Sequence, residues 1–307
     1  MNEAPFTVRA GERGADGSFR RRDAAFRALL AAEALRAEPG RYHLYVSLAC
    51  PWCHRTVIVR ELMGLTEAVP IAYTHPFRDE RGWAFTGGRF DDGPGGEYVD
   101  RVNGWAFAEQ AYRATDPGYA DRVTLPVLWD TATGRIVNNE SSEIIRMFAG
   151  EALRPPALVG EIDAVNERVY DTVNNGVYQA GFSRSQQSYG AAVAELFASL
   201  EWMDGLLGTR RYLAGEVITE ADWRAFPTLV RFDEVYHLHF RCNVRRISEF
   251  PSLWGYTRDL YQVPGVAATV AMDQIKVHYY TTHDELNPKR IIPVGPAPDF
   301  LAAHGRG

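Results

Sequence analysis

The sequence predicts two domains, an α/β domain followed by an all-α domain. Three observations lead there. Tyr42-His43-Leu44-Tyr45-Val46 is aromatic and β-branched, and it runs through Cys50-Pro51-Trp52-Cys53 into a helical stretch, Thr56–Met63, that stops at Gly64. A second strand, a Pro-bearing strand and a hairpin follow within the first half of the chain. Beyond Arg154-Pro155-Pro156, a linker signal, the pattern is helical almost throughout to about residue 275.

The expected divisions are an N-terminal extension at 1–40, an α/β domain at 41–150, an all-helical domain at 155–275 and a tail at 276–307. The 307 residues are 46% hydrophobic and 23% charged, a composition able to bury a sizeable core. Net charge is −6 and the arginines are scattered, so no nucleic-acid footprint is expected. No apolar run approaches the roughly 18 residues of a membrane span. Met1–Arg22 is polar and rich in Gly and Arg, with no apolar h-region, and three cysteines do not make a disulfide framework. The expected setting is the reducing cytoplasm.

In chain order, Asp23–Ala37 is rich in helix formers and is expected as a helix or an ordered lead-in. Pro39-Gly40 turns the chain into the first strand. Val69–Tyr73 reads as a second strand, and strand–helix–strand implies parallel pairing. Residues 75–122 form a long irregular insert whose Trp83, Phe85, Phe90, Trp105 and Phe107 are too apolar for disorder; it is expected to pack beside the active site. Val123–Asp130 reads as a strand with Pro126 inside, where a cis Leu125–Pro126 bond is a feature to look for. Thr133-Gly134-Arg135 reads as a hairpin turn into the strand Ile136-Val137-Asn138. Asn139-Glu140-Ser141-Ser142 then opens a helix whose free N–H groups and side-chain caps make a natural carboxylate site. In the second half, Val193, Leu196, Phe197, Leu200 and Met203 form a core stripe at helical spacing. Thr219-Glu220-Ala221-Asp222 resembles a capping box. His278-Tyr279-Tyr280 and Asn287-Pro288 are expected to open a polar C-terminal tail.

Cys50 carries the chemistry. It stands at a strand-to-helix turn, with Pro51 suited to the first helical position. A thiol there faces unpaired backbone N–H groups and the positive end of the helix dipole, which favour the nucleophilic thiolate. Strand, Cys-x-x-Cys and helix together make the thioredoxin-type redox arrangement, so the first domain is expected to be thioredoxin-like. Cys-x-x-Cys-His is also a c-type haem attachment pattern, but that needs export. A zinc site needs about four ligands, and only Cys242 and scattered histidines remain; no metal is expected. Two cysteines acting as small buried hydrophobes are the plain alternative.

The whole pattern resembles the glutathione transferase fold. Cys-Pro-Trp-x-His-Arg, Gly82-Trp83-x-Phe85, Pro126-Val127-Leu128-Trp129-Asp130, Asn138-Asn139-Glu140-Ser141-Ser142-Glu143-Ile144-Ile145-Arg146, Asn174-Asn175-Gly176-Val177-Tyr178-x-Ala180-Gly181-Phe182 and Pro264-Gly265-Val266 are together similar to the Xi class, the glutathionyl-hydroquinone reductases. The likeness covers about residues 20–296.

That resemblance implies a reaction and a set of roles. The thiolate of Cys50 attacks the sulfur of a glutathionyl-hydroquinone, hydroquinone leaves, and a second glutathione, the cosubstrate, resolves the mixed disulfide. Glu140 and Ser141 match the pair that holds the γ-glutamyl end. Leu125 matches the residue whose backbone pairs with the cysteinyl part, where the family usually has Val. Trp83 matches a glutathione-contacting tryptophan. Tyr178 and Tyr279 match tyrosines that line the quinone pocket, where a phenol can hydrogen-bond or protonate the leaving oxygen. A homodimer is implied as well. Two departures stand out: Cys53 sits where the family usually has Ala, and Phe107-Ala108-Glu109-Gln110-Ala111 lacks an arginine that the family uses on the thiol cosubstrate, with Arg113 and Arg122 nearby. Three alternatives stay open: the same chemistry with another small thiol such as mycothiol, a Cys50/Cys53 dithiol oxidoreductase, and a non-catalytic transferase-like binding protein.

Overall fold

The computed structural model describes residues 12, 14–19, 21–86 and 97–306. The chain forms two compact units. One holds Asp23–Gly150 and Ala268–Ile292; the other holds Glu151–Ala267 with the described parts of Thr7–Arg22 and Pro293–Gly307.

The first unit contains α1 (Ala32–Ala37), β1 (Tyr42–Val46), α2 (Pro51–Leu62), β2 (Ile71–Tyr73), α3 (Glu109–Thr115), β3 (Val127–Asp130), β4 (Arg135–Asn138) and α4 (Ser141–Ala149). Its sheet has the order β2-β1-β3-β4. β1 and β2 are parallel, with Leu44 opposite Ile71 and Val46 opposite Tyr73. β3 runs antiparallel to β1, with Tyr42 opposite Asp130. β4 returns beside β3 through a tight turn in which Gly134 takes φ 63°, a conformation glycine adopts at no steric cost. β1 and β4 therefore point the same way. The helices that follow them, α2 and α4, start at one end of the sheet, and β3 begins at that same end. α2 stops where the sequence indicates, with Met63 as its cap and Gly64 at φ 62°.

At the start of the chain the second of the two alternatives for Asp23–Ala37 holds over most of its length: it is an ordered lead-in, with a helix only at Ala32–Ala37. Residues before it run along the free edge of β4. Ala28 N–H donates to Val137 O (3.1 Å), Asn139 N–H donates to Phe26 O (3.0 Å), and Asn138 Nδ2 donates to Ala28 O (3.1 Å). Satisfying an open sheet edge outweighs a modest helix propensity.

The insert covers the sheet face that carries Tyr45. Phe85 and Trp105 lie 5.6 and 5.9 Å from the Tyr45 ring, Trp105 meets Trp129 edge-on at 4.9 Å, and Tyr45 Oη donates to Asp100 Oδ1 (3.1 Å). Phe90 lies outside the described residues.

The second unit is helical: α5 (Val159–Val169), α6 (Gly176–Gly181), α7 (Gln186–Leu207), α8 (Glu220–Arg231), α9 (His237–His239) and α10 (Pro251–Tyr261), with π-helical turns at Tyr170–Asn174 and Phe232–Tyr236. The stripe on α7 is core: Val193, Leu196, Phe197, Leu200 and Met203 are all buried. The capping box forms, with Asp222 accepting from the Thr219 N–H (2.8 Å).

α11 (Met272–Thr282) belongs to the first unit. It corrects the reading of His278-Tyr279-Tyr280 as the opening of a tail, because all three are helical and buried. Polar Gln274, Lys276 and His278 are buried too, which erases the alternation of apolar and polar faces that would have revealed this helix.

Candidate functional site

Cys50 is the N-cap of α2, with extended backbone at φ −78° and ψ 123°, and Pro51 follows as the first helical residue. Its Sγ lies 3.7 Å from the carbonyl oxygen of Leu125, and the Leu125–Pro126 bond is cis. The thiol is therefore set between the start of a 12-residue helix, whose first N–H groups lack intrahelical partners, and the backbone that leads into β3.

Cys53 is placed differently. It is fully buried, one turn inside α2, and its Sγ accepts a long hydrogen bond from the Ser47 N–H (3.5 Å). Cys242 is buried in the second unit, where desolvation pushes its thiol well above the ordinary range. Neither resembles an exchange-competent thiol at a helix start. His54, next to Cys53 in sequence, is buried with its Nε2 2.9 Å from Thr269 Oγ1.

Glu140 and Ser141 lie at the same end of the sheet, at the start of α4. Glu140 is the N-cap. Its Oε1 accepts from the Ser142 N–H (3.0 Å) and from Ser142 Oγ (2.8 Å), while its own N–H donates to Asn138 Oδ1 (2.7 Å). Only one carboxylate oxygen is engaged in the cap. Ser141 is buried in the first turn. The strand directions thus bring Cys50, Leu125, Glu140 and Ser141 to one sheet end although they are far apart in sequence.

Trp83 is held by a short bridge between Ala84 and Phe107, with its carbonyl accepting from the Ala108 N–H (2.9 Å). Its ring is buried, stacked on His278 at 5.1 Å, and Arg78 lies over it at 5.2 Å. His278 in turn has Nδ1 2.7 Å from Pro76 O and meets Tyr279 edge-on at 5.3 Å. A carbonyl oxygen can only accept, so His278 Nδ1 carries a hydrogen. Tyr279 is only 1% exposed. Tyr178 belongs to the second unit, on α6. It packs against Phe182, Tyr236 and Phe240, with the Arg21 guanidinium 5.1 Å from its ring and Arg21 Nε donating to Asn175 Oδ1 (2.9 Å).

Two functional candidates carried no signal of their own in the sequence. Arg55 is 1% exposed, yet its guanidinium reaches Ser141 Oγ (3.5 Å) and stacks over Trp52 at 4.7 Å. It stood in the cysteine motif, but only the fold brings it to α4. Tyr112, in the patternless insert, is buried behind the loops that carry Leu125 and Glu140. Of the arginines in the insert, Arg113 is ion-paired with Glu109 on the exposed side of α3. Among the described residues no cluster of three or more His, Cys, Asp or Glu side chains could hold a metal, and no helix is long and apolar enough to cross a membrane.

Comparison with known proteins agrees with this geometry. Residues 49–151 match the family model for the glutathione S-transferase N-terminal domain, and 179–259 match that for the C-terminal domain. The glutathionyl-hydroquinone reductase YqjG of Escherichia coli (strain K12) is 47% identical, over 94% of this chain and 92% of its own length. The glutathionyl-hydroquinone reductase PcpF of Sphingobium chlorophenolicum is 45% identical, over 92% of this chain and 90% of its own. The glutathione-bound structure of the E. coli protein superposes with a TM-score of 0.86, covering 92% of this chain and 96% of that one. The glutathione transferase Xi of Phanerochaete chrysosporium, 44% identical, gives 0.88 over 94% and 96%. A cysteine-led thioredoxin-like unit, a helical partner unit and relatives this similar over nearly their whole length place the chain in the glutathione transferase family, in the Xi class with the glutathionyl-hydroquinone reductases.

Proposed function

We propose that the protein is a glutathione-dependent reductase that removes glutathione from glutathionyl-hydroquinones through a mixed disulfide on Cys50. The observation that carries the reading is the placement of Cys50 Sγ at the α2 N-cap, 3.7 Å from the Leu125 carbonyl, at the sheet end that also carries Glu140 and Ser141.

In the first half-reaction the Cys50 thiolate attacks the glutathionyl sulfur. A sulfur–sulfur bond forms, the carbon–sulfur bond to the ring breaks, its electron pair stays with the ring, and a proton completes the free hydroquinone. In the second, a glutathione thiolate attacks the glutathionyl sulfur of the mixed disulfide; glutathione disulfide leaves and Cys50 returns as thiolate. The sum is one glutathionyl-hydroquinone and one glutathione giving hydroquinone and glutathione disulfide, with ping-pong kinetics. Leu125 pairs with the cysteinyl backbone, Glu140 takes the γ-glutamyl ammonium, the Ser141 N–H and hydroxyl take its carboxylate, and Trp83 flanks the tripeptide. Tyr279 and Tyr178 serve the quinone ring as hydrogen-bond and proton donors, an assignment that rests on the family resemblance. The reading includes a homodimer and a reducing cytoplasm, the latter supported by a chain with three cysteines, too few and odd in number for a disulfide framework.

The test is turnover of a glutathionyl-hydroquinone together with mass spectrometry of protein held with glutathione disulfide. The wild type gains one glutathionyl group on Cys50, and Cys50→Ser, still folded, gains none and loses activity. Near wild-type turnover by Cys50→Ser would end the mechanism. An internal Cys50–Cys53 bond as the main product would replace it with dithiol chemistry.

A further inference from the structure

Tyr112 lies on α3, where nothing in the reaction as described uses it. Its side chain is fully buried. Every hydrogen-bonding capacity of its hydroxyl is engaged, and all of it is directed at two loops. Tyr112 Oη donates to the carbonyl of Thr124 (2.7 Å), and it accepts from the Thr124 N–H (3.2 Å) and from Asn139 Nδ2 (2.9 Å). The Thr124 hydroxyl closes the group, 3.1 Å from the phenol and 3.2 Å from Asn139 Nδ2. Thr124 immediately precedes Leu125, and Asn139 immediately precedes Glu140. One phenol therefore ties together the backbone proposed to pair with the cysteinyl part of glutathione and the helix start proposed to hold its γ-glutamyl part.

The neighbours make this a rigid tie. The Tyr112 ring packs against Phe26 (5.7 Å) and Tyr119 (4.8 Å). Asn139 is itself fixed, with Oδ1 accepting from the Phe26 N–H (2.9 Å) and its own N–H donating to Phe26 O (3.0 Å). Burial raises the phenol above its ordinary range, so it stays a protonated donor to Thr124 at working pH. A hydroxyl has one donor and two lone pairs, and the two loops take up all three. A phenylalanine fills the same volume but leaves the half-buried carbonyl and N–H of Thr124 and the buried Asn139 amide without that partner.

We propose that Tyr112 is a positioning residue for the thiol cosubstrate: it sets the spacing between Leu125 and the Glu140–Ser141 helix start, and so the fit of glutathione to Cys50. The proposal rests on the reading of Leu125, Glu140 and Ser141 as the glutathione site. Tyr112 touches no reacting atom. Its effect falls on affinity and leaves the reactivity of Cys50, set by the α2 N-terminus, unchanged.

The experiment compares Tyr112→Phe and Glu140→Gln with the wild type in the second half-reaction, reading KM for glutathione, kcat at saturation, the rate of Cys50 alkylation by iodoacetamide, and Tm. For Tyr112→Phe the expected result is a rise of about tenfold in KM for glutathione, from the loss of a buried hydrogen-bond set, with kcat and alkylation within about twofold of wild type by the same reasoning. A Tyr112→Phe protein with unchanged KM, while Glu140→Gln raises it, overturns the positioning role and leaves the site standing. If both variants keep wild-type KM, the site assignment fails and the proposal fails with it. A parallel loss of KM, kcat, alkylation rate and Tm marks a merely structural residue and also overturns the proposal. Should Tyr112→Phe not fold, Asn139→Ala cuts the same tie from the α4 side and must give the same KM-selective loss.

Discussion

Arg55, one turn inside α2, donates from Nη1 to Ser141 Oγ, the first residue of α4, across 3.5 Å. A guanidinium only 1% exposed keeps its charge at any working pH. Here it stands between the cysteine helix and the helix start assigned to the γ-glutamyl end, and its ring partner Trp52 holds it there. A cation so placed favours a carboxylate at the α4 N-terminus over any neutral group.

Arg55→Met is therefore expected to weaken glutathione binding by roughly ten- to a hundredfold, the range for losing one charge-assisted hydrogen bond. Arg55→Lys retains the charge without the planar fork and is expected to recover part of that loss. Titration of glutathione into each variant by tryptophan fluorescence checks this. Affinity unchanged in Arg55→Met would assign the arginine to packing alone.

Cys53→Ala is expected to keep most of the activity. The Cys53 thiol is fully buried one turn inside α2, where it accepts a long bond from the Ser47 N–H, so truncation removes a small buried group and leaves Cys50 at its cap. The measurement is steady-state turnover beside Cys50→Ser. A loss in Cys53→Ala as severe as that in Cys50→Ser would bring back the dithiol mechanism.

The cysteine end of the molecule was legible because it is local. A strand, a Cys-Pro turn and a helix with a glycine stop each carry their own short-range chemistry. One crossover makes β1 and β2 parallel and one hairpin makes β3 and β4 antiparallel, whereas the antiparallel pairing of β3 with β1 has no such local signal. What was not legible depends on tertiary pairing. Residues 23–31 have helical composition but satisfy the edge of β4. α11 buries Gln274, Lys276 and His278 and so shows no amphipathic pattern. Tyr112 lies in an insert without periodicity, and its importance comes from two loops that meet it only in the folded chain. The role of Arg55 was hidden for the same reason, since its neighbour Ser141 is 86 positions away.

The second unit depends on Asp222. Its buried carboxylate accepts from the Leu213 N–H (3.0 Å), the Thr219 N–H (2.8 Å), Thr219 Oγ1 (3.1 Å) and Tyr256 Oη (2.7 Å). Asp222→Ala leaves four donors without this partner and is expected to cost about 3 kcal/mol or more. Thermal unfolding should show Tm lower by several degrees. A Tm matching the wild type would mean that the cap does not support the helical unit.

A homodimer is expected through a surface that includes the helical unit, as two-fold assemblies are the commonest among soluble oligomers. Val217, Leu238 and Val244 are large apolar side chains left exposed there, at 51%, 58% and 69%. Light scattering at working concentration should return twice the chain mass of 34.4 kDa. A mass equal to one chain would refute it.

The last prediction concerns the choice of thiol. Glutathione presents an ammonium and a carboxylate at its γ-glutamyl end, whereas mycothiol, a sugar-linked thiol, presents neither. On the proposed assignment the start of α4 answers both charges. Glu140 uses Oε1 in the helix cap, and among the described residues no hydrogen bond reaches its Oε2, which leaves an acidic oxygen for the ammonium. Ser141 supplies a first-turn N–H and a hydroxyl for the carboxylate, with Arg55 behind it. Against this, the family's arginine is absent from Phe107–Ala111, and Arg113 is paired with Glu109. The loss of one such contact weakens binding by roughly ten- to a hundredfold, which raises KM for glutathione without changing which thiol fits. Matched glutathionyl- and mycothiol-hydroquinones should therefore react with glutathione clearly preferred, its KM high but saturable. A preference for the mycothiol adduct, with glutathione failing to saturate, would overturn this and identify the absent arginine as the reason.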